Sequence, residues 1–270
     1  MLRMKFLVVA DLHYSLPQFD WLLNEAAKYD LVIIAGDLLD VGSTVDFRAQ
    51  TLVVHKYLQK ISATTRVFVC SGNHDLDSRT EAGEKIPRWL ESVRGLAIAS
   101  DGEGIVIEDM LFTICPWWDG PSVREKLEEQ LAADFARREG LRWIWIHHAP
   151  PASAATSWSG RQSLGDKDVL EWISRFEPNI VFSGHVHQSP FVQNGSWADE
   201  IGQTWCFNAG HQFGSPPAYV AVDTELAEAV WVSAMGVQSV KLKSPLERPI
   251  PPLSRLPDWL DALGARTPPA

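Results

Sequence analysis

The sequence predicts a layered α/β fold, because strand-like and helix-like segments alternate along the chain. Five short apolar runs are rich in β-branched and aromatic residues, as is typical of strands that are covered on both faces. They span residues 5–10, 31–36, 66–72, 142–146 and 179–184. Further strand-like runs follow one another within residues 96–115 and within residues 204–234. Such consecutive runs imply partly antiparallel pairing, so a layered sandwich fits better than a (βα)8 barrel, which 270 residues could also build.

Four helices are predicted among these strands. In the second helix Phe47, Val54 and Leu58 recur on one face, the third is closed by Gly140, and the fourth stops before Pro178. The predicted spans are residues 18–28, 44–61, 122–139 and 168–176.

The C-terminal part of the chain differs in composition from the rest. From about Lys241 onward it is proline-rich, which predicts a tail, residues 241–270, that is wrapped on the surface or disordered. Residues 1–240 are then expected to form the folded domain.

Composition restricts the partners and the compartment. The chain has 24 basic and 34 acidic residues, a formal charge of −10, so there is no general attraction to nucleic acid or to an anionic membrane. Cys70, Cys115 and Cys206 are far apart and flank apolar runs, which predicts reduced, buried thiols. No apolar run has the length of a membrane span or of a signal-peptide core. We therefore expect a cytoplasmic protein, and the oligomeric state stays open.

Polar residues of the metal-binding type follow each of the five apolar runs. Seven of the eight histidines lie at strand ends if His211, which follows a later run, is counted with them. Because the carboxyl ends of parallel strands meet at one edge of a sheet, these side chains are expected to converge. The five blocks are Asp11 and His13, Asp37, Asn73 and His74, His147 and His148, and His185 and His187.

The spacing within the blocks has a physical reason. Residues i and i+2 of an extended segment point to the same side, so His185 and His187 can reach one site together. Glycines that precede Asp37, Asn73 and His185 remove a side chain where the centre is crowded. Imidazole, carboxylate and amide oxygen without thiolate suit Mn, Fe, Zn or Co.

The ordered series D-x-H, G-D, G-N-H-D, H-H-x-P and G-H-x-H resembles the calcineurin-like metallophosphoesterases over residues 11 to 187. The resemblance implies a four-layer αββα sandwich with mixed sheets and two divalent or transition-metal ions at the C-terminal ends of the strands. The implied ligands are Asp11, His13 and His187 for one ion, Asn73, His147 and His185 for the other, and Asp37 as the bridge.

Two details of the series leave choices open. His147 is taken as the ligand because the first histidine of this block is the ligand in similar sequences, which leaves His148 to a neighbouring role. The later stretch FNAGH differs from the N-P-G-S of many relatives, so Asn208 and His211 receive no assigned role.

The resemblance also implies catalytic roles, and the loop after the fourth block suggests substrate contacts. His74 is expected to protonate the leaving group, with Asp75 as its catalytic neighbour; a purely hydrogen-bonding His74 is the alternative. Residues 150–166 have turn-forming composition and predict a long loop that covers the site. Within it Arg161 is predicted to bind phosphate, although it could instead pair with Asp166. The residues assigned to the substrate are Trp117, His148, Trp158 and Arg161.

The predicted function is a metal-dependent hydrolase of a small phosphorylated substrate, in which hydroxide held between the two ions attacks the phosphate ester. A DNA or RNA nuclease with the same site is the first alternative, and the acidic charge makes nucleic acid an unfavourable partner. A non-catalytic scaffold of the same fold is the second, but it would be expected to have broken ligand blocks. The choice between phosphomonoesters and phosphodiesters stays open.

Overall fold

Two mixed β-sheets pack face to face, and helices cover the outer face of each sheet. The four-layer αββα sandwich that the resemblance implies is therefore confirmed. The computed structural model describes residues 3–264. No helix in that range has the length and the apolar character needed to span a membrane.

The described residues form sixteen strands. In chain order they are β1 (Lys5–Val9), β2 (Leu31–Ala35), β3 (Arg66–Cys70), β4 (Ser78–Arg79), β5 (Lys85–Ile86), β6 (Ala99–Ser100), β7 (Gly104–Ile107), β8 (Met110–Ile114), β9 (Arg142–Ile146), β10 (Ile180–Ser183), β11 (Ala198–Ile201), β12 (Thr204–Asn208), β13 (Tyr219–Asp223), β14 (Glu228–Ser233), β15 (Gly236–Lys241) and β16 (Pro252–Leu253).

The first sheet has eight strands in the order β16-β15-β14-β13-β1-β2-β3-β6, and the second has six in the order β11-β12-β10-β9-β8-β7. Strands β1, β2, β3 and β6 are parallel, and so are β8, β9, β10 and β12; antiparallel strands complete each sheet. The short β4–β5 hairpin stands apart. All five predicted strands are confirmed, but they divide between the sheets, since β1 to β3 lie in one and β9 and β10 in the other.

The four predicted helices are confirmed with ends that shift by a few residues. The second begins at Phe47 rather than residue 44 because the Asp46 side chain accepts hydrogen bonds from two backbone N–H groups of the first turn. The α-helices are α1 (Leu16–Glu25), α2 (Phe47–Ser62), α3 (Pro121–Arg137), α4 (Lys167–Phe176) and α5 (Asp258–Gly264). Short 3-10 segments span Ala26–Lys28, Arg88–Leu96, Ala155–Ser157 and Ser189–Phe191.

Three apolar layers hold the sandwich together. The layer between the sheets includes Phe6, Phe112 and Phe182, and the two outer layers lie under the helices. All three cysteines are buried and free, as predicted, and burial raises the pKa of each thiol above its usual value. These layers leave the carboxyl ends of β1, β2, β3, β9 and β10 at one edge of the molecule.

The C-terminal segment is ordered through residue 264, which differs from the disordered alternative. The predicted boundary falls near the end of β15, but β16 then pairs with β15 and α5 packs on the first sheet. Trp259 is buried there, and its indole N–H donates to the Glu228 carboxylate at 2.9 Å. Short apolar anchors among the prolines therefore dock this segment without producing any periodic pattern in the sequence. Residues 265–270 lie outside the described range.

Candidate metal centre

The five polar blocks meet where the carboxyl ends of the two sheets face each other. The backbone there adopts conformations that side chains rarely take: Asp11, His13, Asp37 and His185 all have φ between 42° and 67°. Each such residue costs about 1–3 kcal/mol, and clusters of them mark functional sites. The packing of the surrounding sheets stabilises these strained conformations, and the side chains of the four residues therefore converge in one space.

Glycines keep that space free, as the sequence predicted. A Cβ atom on Gly72 would collide with the Asp37 carboxylate, and one on Gly36 would collide with the His148 ring. A Cβ on Gly184 would meet both Ala10 and the Asp11 carboxylate. Glycine is therefore required at these positions for the acidic and imidazole groups to approach one another.

The first group of ligand atoms comes from Asp11, His13, Asp37 and His187, whose ligand atoms all lie within 4.8 Å of one another. The Nε2 atom of His187 lies 3.2 Å from Asp11 Oδ1 and 3.0 Å from Nε2 of His13. His13 Nε2 is also 3.8 Å from Asp37 Oδ2. Imidazole nitrogens and carboxylate oxygens that point at a common centre are the arrangement that a transition metal binds.

A second group of ligand atoms adjoins the first and shares Asp37. The Nε2 atom of His148 lies 3.1 Å from Asp37 Oδ2, and Nδ1 of His185 lies 2.9 Å from the Asn73 side-chain oxygen. The rings of His148 and His185 are 5.2 Å apart. Asp37 therefore stands between two sets of donors, as a bridging carboxylate would.

His148 has the hydrogen bonding of a metal-binding histidine. Its Nδ1 donates to the Ala35 carbonyl at 2.8 Å, which fixes the ring and turns Nε2 toward the Asp37 carboxylate. That Nε2 is buried, and it makes no aligned hydrogen bond although the Asp37 carboxylate is close to it. A buried nitrogen of this kind fits a metal ion. Nε2 of His147 is likewise buried without a hydrogen-bond partner, so what distinguishes His148 is its distance of 3.1 Å from Asp37.

The contacts of His147 lie beside Trp118 and those of His148 beside Asp37, so the structure favours His148 over the predicted His147 as the ligand, and we carry that choice forward as a proposal. Alternate side chains of β9 lie on opposite faces up to its end at Ile146, and the chain then bends at His148. Trp143 and Trp145 pack in the outer layer, whereas Ile144 and Ile146 pack between the sheets. His147 continues the outer row, where it donates Nδ1–H to the Ala149 carbonyl and lies 4.9 Å from the Trp118 ring. His148 continues the inner row.

The charge of the centre favours a cation. Burial lowers the pKa of His148, but the Asp37 and Asp11 carboxylates outweigh it and the pKa rises to about 9. Burial alone would raise the pKa of Asp37, yet His148 holds it well below its usual value. The negative field of the carboxylates that stabilises a protonated His148 would also stabilise a divalent ion. Burial lowers the pKa of His13 and of His185 to about 4, which keeps both imidazoles neutral and able to bind metal.

The family model for the calcineurin-like phosphoesterases matches residues 4–189. The chain belongs to that family. Comparison with curated proteins finds no match.

Solved structures share the fold of this chain at low sequence identity. The TT1561 protein of Thermus thermophilus is 12% identical with a TM-score of 0.58, over 89% of this chain and 100% of the other. A dimetal phosphatase from Danio rerio is 12% identical with a TM-score of 0.54, over 84% and 95% of the two chains. The purple acid phosphatase PPD1 of yellow lupin is 14% identical with a TM-score of 0.53, over 90% of this chain and 52% of the other.

His74 stands at the mouth of the candidate centre, and its predicted catalytic role stays a prediction. Its side chain is 26% exposed and its ring is 4.6 Å from the ring of His13. Nδ1 accepts the N–H of Val41 at 3.3 Å and lies 3.5 Å from the Asp40 carboxylate. Nε2 is then the nitrogen that remains for a substrate. Sequence reasoning missed Asp40, since its contact with His74 spans 34 residues.

Asp75 cannot reach a substrate, so a catalytic role for it does not fit the structure. The residue is fully buried, and its carboxylate accepts four backbone N–H groups, those of Asp37, Leu38, Leu39 and Gly72, at 2.8–3.0 Å. Burial and the Asp37 charge raise its pKa to about 8, against these four donors. Asp75 instead ties the Asp37 block to the Asn73 block.

Of the residues assigned to the substrate, the structure brings Trp117 to the centre. Its half-buried ring is 5.2 Å from the ring of His185 and 5.6 Å from that of His148, and the backbone N–H of Trp117 donates to Ser71 Oγ. His148 is fully buried among the carboxylates and has no surface for a substrate.

Residues 150–166 form a loop, as predicted, with one short 3-10 segment at Ala155–Ser157. Ala155 N–H donates to Asp199, and the indole N–H of Trp158 donates to the Gln193 carbonyl. Arg161 is exposed, and among residues 3–264 no ion pair joins it to Asp166, which caps α4 instead. No contact described for this loop brings Trp158 or Arg161 to the metal-binding blocks, and their substrate roles stay predictions.

Asn208 and His211, which received no role from the sequence, also border the centre. The amide of Asn208 donates to the carbonyls of Thr156 and Val186 and so supports the backbone beside His187. His211 donates Nδ1–H to the Asp11 carbonyl at 2.7 Å, and its ring is 4.9 Å from that of His187. Their positions at and just after the end of β12 were the only feature of the sequence that could have indicated a place near the centre.

Proposed function

We propose that this phosphoesterase hydrolyses a small phosphorylated substrate with two divalent or transition-metal ions. The observation that supports the proposal most is the buried Asp37 carboxylate, which stands between two groups of converging ligand atoms. The proposed ligands are Asp11, His13, Asp37 and His187 for the first ion, and Asp37, Asn73, His148 and His185 for the second.

When bound, two such ions polarise the phosphoryl oxygens and lower the pKa of water, which supplies a nucleophile at neutral pH. The protein provides the rest through its own side chains. Trp117 excludes water from one side of the centre, and His74 presents Nε2 at the mouth, where it can protonate the departing alkoxide. The Asp40 carboxylate lies 3.5 Å from Nδ1 and helps to hold the ring in this position.

A small substrate is favoured over a polymer. The formal charge of −10 disfavours a long polyanion, whereas two ions against the two carboxylates give the centre a local positive charge that attracts a single phosphate group. All the proposed ligand positions hold metal-binding side chains, which disfavours a scaffold without activity. Three buried, unpaired cysteines support a reducing compartment such as the cytoplasm.

We predict that His74→Ala keeps both metals and loses about 10²–10⁴-fold in kcat, because the residue transfers a proton and does not bind metal. The loss should be larger for phenyl phosphate, whose leaving group needs protonation, than for p-nitrophenyl phosphate. Steady-state kinetics on both esters, with elemental analysis of the same samples, make the comparison. His55→Ala on α2 is the matched histidine control.

Asp40→Asn should show the same dependence on the leaving group with a smaller loss, since the imidazole is kept but its charged neighbour is removed. Equal losses on both esters, together with a metal-depleted His74→Ala protein, would assign His74 to metal binding instead.

A further inference from the structure

Phe213 is the most exposed large apolar side chain among the described residues, at 96%. It lies in the loop between β12 and β13, two positions after His211. Phenylalanine is mostly buried in folded proteins, so a ring that is almost fully exposed to water calls for a functional explanation.

The loop that presents this ring is held from both sides. The side chain of Gln18, only 1% exposed, donates to the carbonyls of Gln212 and Gly214 at 2.8 and 2.7 Å. The Gln212 side chain in turn donates to the Pro216 carbonyl and accepts the N–H of Ala234. The backbone on each side of Phe213 is therefore fixed, and a ligand that met the ring would lose little entropy in ordering the loop.

The ring also lies next to the metal centre. Its centroid is 5.4 Å from that of His211, and His211 in turn is 4.9 Å from His187 and 5.4 Å from His13. One imidazole thus separates Phe213 from two proposed ligands. A phosphate at the centre and a group resting on Phe213 would belong to one molecule of about the size of a nucleotide.

We propose that Phe213 is a stacking platform that selects phosphate esters with a flat aromatic or heteroaromatic group, such as a nucleobase. This inference rests on the proposed function, since it gives the substrate class of the same centre. A flat ring can cover the open faces of Phe213, and stacking of this kind tolerates different bases because each has a π-face. Phe213 is a specificity residue in this account, with no part in bond breaking.

The test compares two probes that differ only by the base, adenosine 5′-monophosphate and ribose 5-phosphate. Isothermal titration calorimetry with Mn²⁺-loaded protein measures binding without requiring turnover. We expect the wild type to bind adenosine 5′-monophosphate about thirtyfold more tightly, the middle of the range for one stacked base. Phe213→Ala should remove this preference and leave the affinity for ribose 5-phosphate unchanged, and Phe213→Trp should keep it.

Two further variants separate stacking from general apolar contact. Leu226→Ala changes an exposed residue in the β13–β14 turn, at the opposite end of the first sheet, and should keep the preference. Met235→Ala changes a residue that is 75% exposed in the turn beside the Phe213 loop, and it should also keep most of the preference.

Equal wild-type affinity for the two probes, or a preference that survives Phe213→Ala, would overturn the stacking role while phosphate binding itself stands. A loss with Met235→Ala as large as with Phe213→Ala would indicate an apolar patch rather than a stacking platform. Metal-loaded protein that binds neither phosphate would overturn the proposed function along with the inference.

Discussion

His148→Gln is expected to leave one metal site empty, whereas the same change at the neighbouring His147 leaves both sites filled. The two side chains are adjacent in sequence and both are buried, but only His148 lies 3.1 Å from the Asp37 carboxylate. Its other ring nitrogen is held by the Ala35 carbonyl, so the ring cannot turn to another partner. Loss of this ligand should lower kcat by more than about 100-fold, which is the upper range for disturbing only the groups that orient a ligand.

Elemental analysis after loading and dialysis measures the result, and thermal unfolding shows that both variants remain folded. His147→Gln should retain two metals and most activity, since His147 contacts Trp118 on the outer side of β9. The reverse pattern, with metal lost from His147→Gln and kept in His148→Gln, would restore the assignment made from the sequence.

Asp37→Asn is expected to weaken both metal sites together. The substitution keeps the shape of the side chain but removes the charge that both groups of donors share. The backbone N–H of His74 also donates to this carboxylate at 2.8 Å, so the orientation of the side chain should survive in the variant. Calorimetric titration with Mn²⁺ should show two weakened binding events and hydrolysis close to the background rate.

Asp40→Asn is the comparison for metal binding, because Asp40 follows the same strand but belongs with His13 and His74 to a separate group of possible ligand atoms. It should bind two ions with wild-type affinity. An Asp37→Asn protein in which one site keeps its affinity would show that this carboxylate serves one ion and does not bridge.

The strands and helices could be predicted because the chain marks them locally. Short runs that are mostly apolar, such as RWIWI, predict strands covered on both faces. Amphipathic patterns that end at Gly140 or before Pro178 predict helices. The same strands also predicted that the polar blocks converge, because each block follows the carboxyl end of a strand. Short elements such as β16 and α5 were missed because their few apolar residues lie among prolines.

The orientation of side chains within the site could not be read in the same way. Since every residue of RWIWI after the arginine is apolar, the run does not show which face is inside, and the choice between His147 and His148 depends on that face. Asp75 and Asp40 gained their roles from contacts with residues more than thirty positions away. Likewise the composition of residues 150–166 predicted a loop but not which residues it contacts.

The central claim is that two ions, bound on either side of Asp37, are required for hydrolysis of a phosphate ester. Metal stoichiometry measured together with activity tests it most directly, with protein stripped by a chelator and reloaded stepwise with Mn²⁺ while hydrolysis of p-nitrophenyl phosphate and bis-p-nitrophenyl phosphate is followed. The account predicts activity against at least one of these esters that reaches its maximum only near two ions per chain. Full activity with at most one ion per chain, or no hydrolysis at two ions per chain, would contradict it.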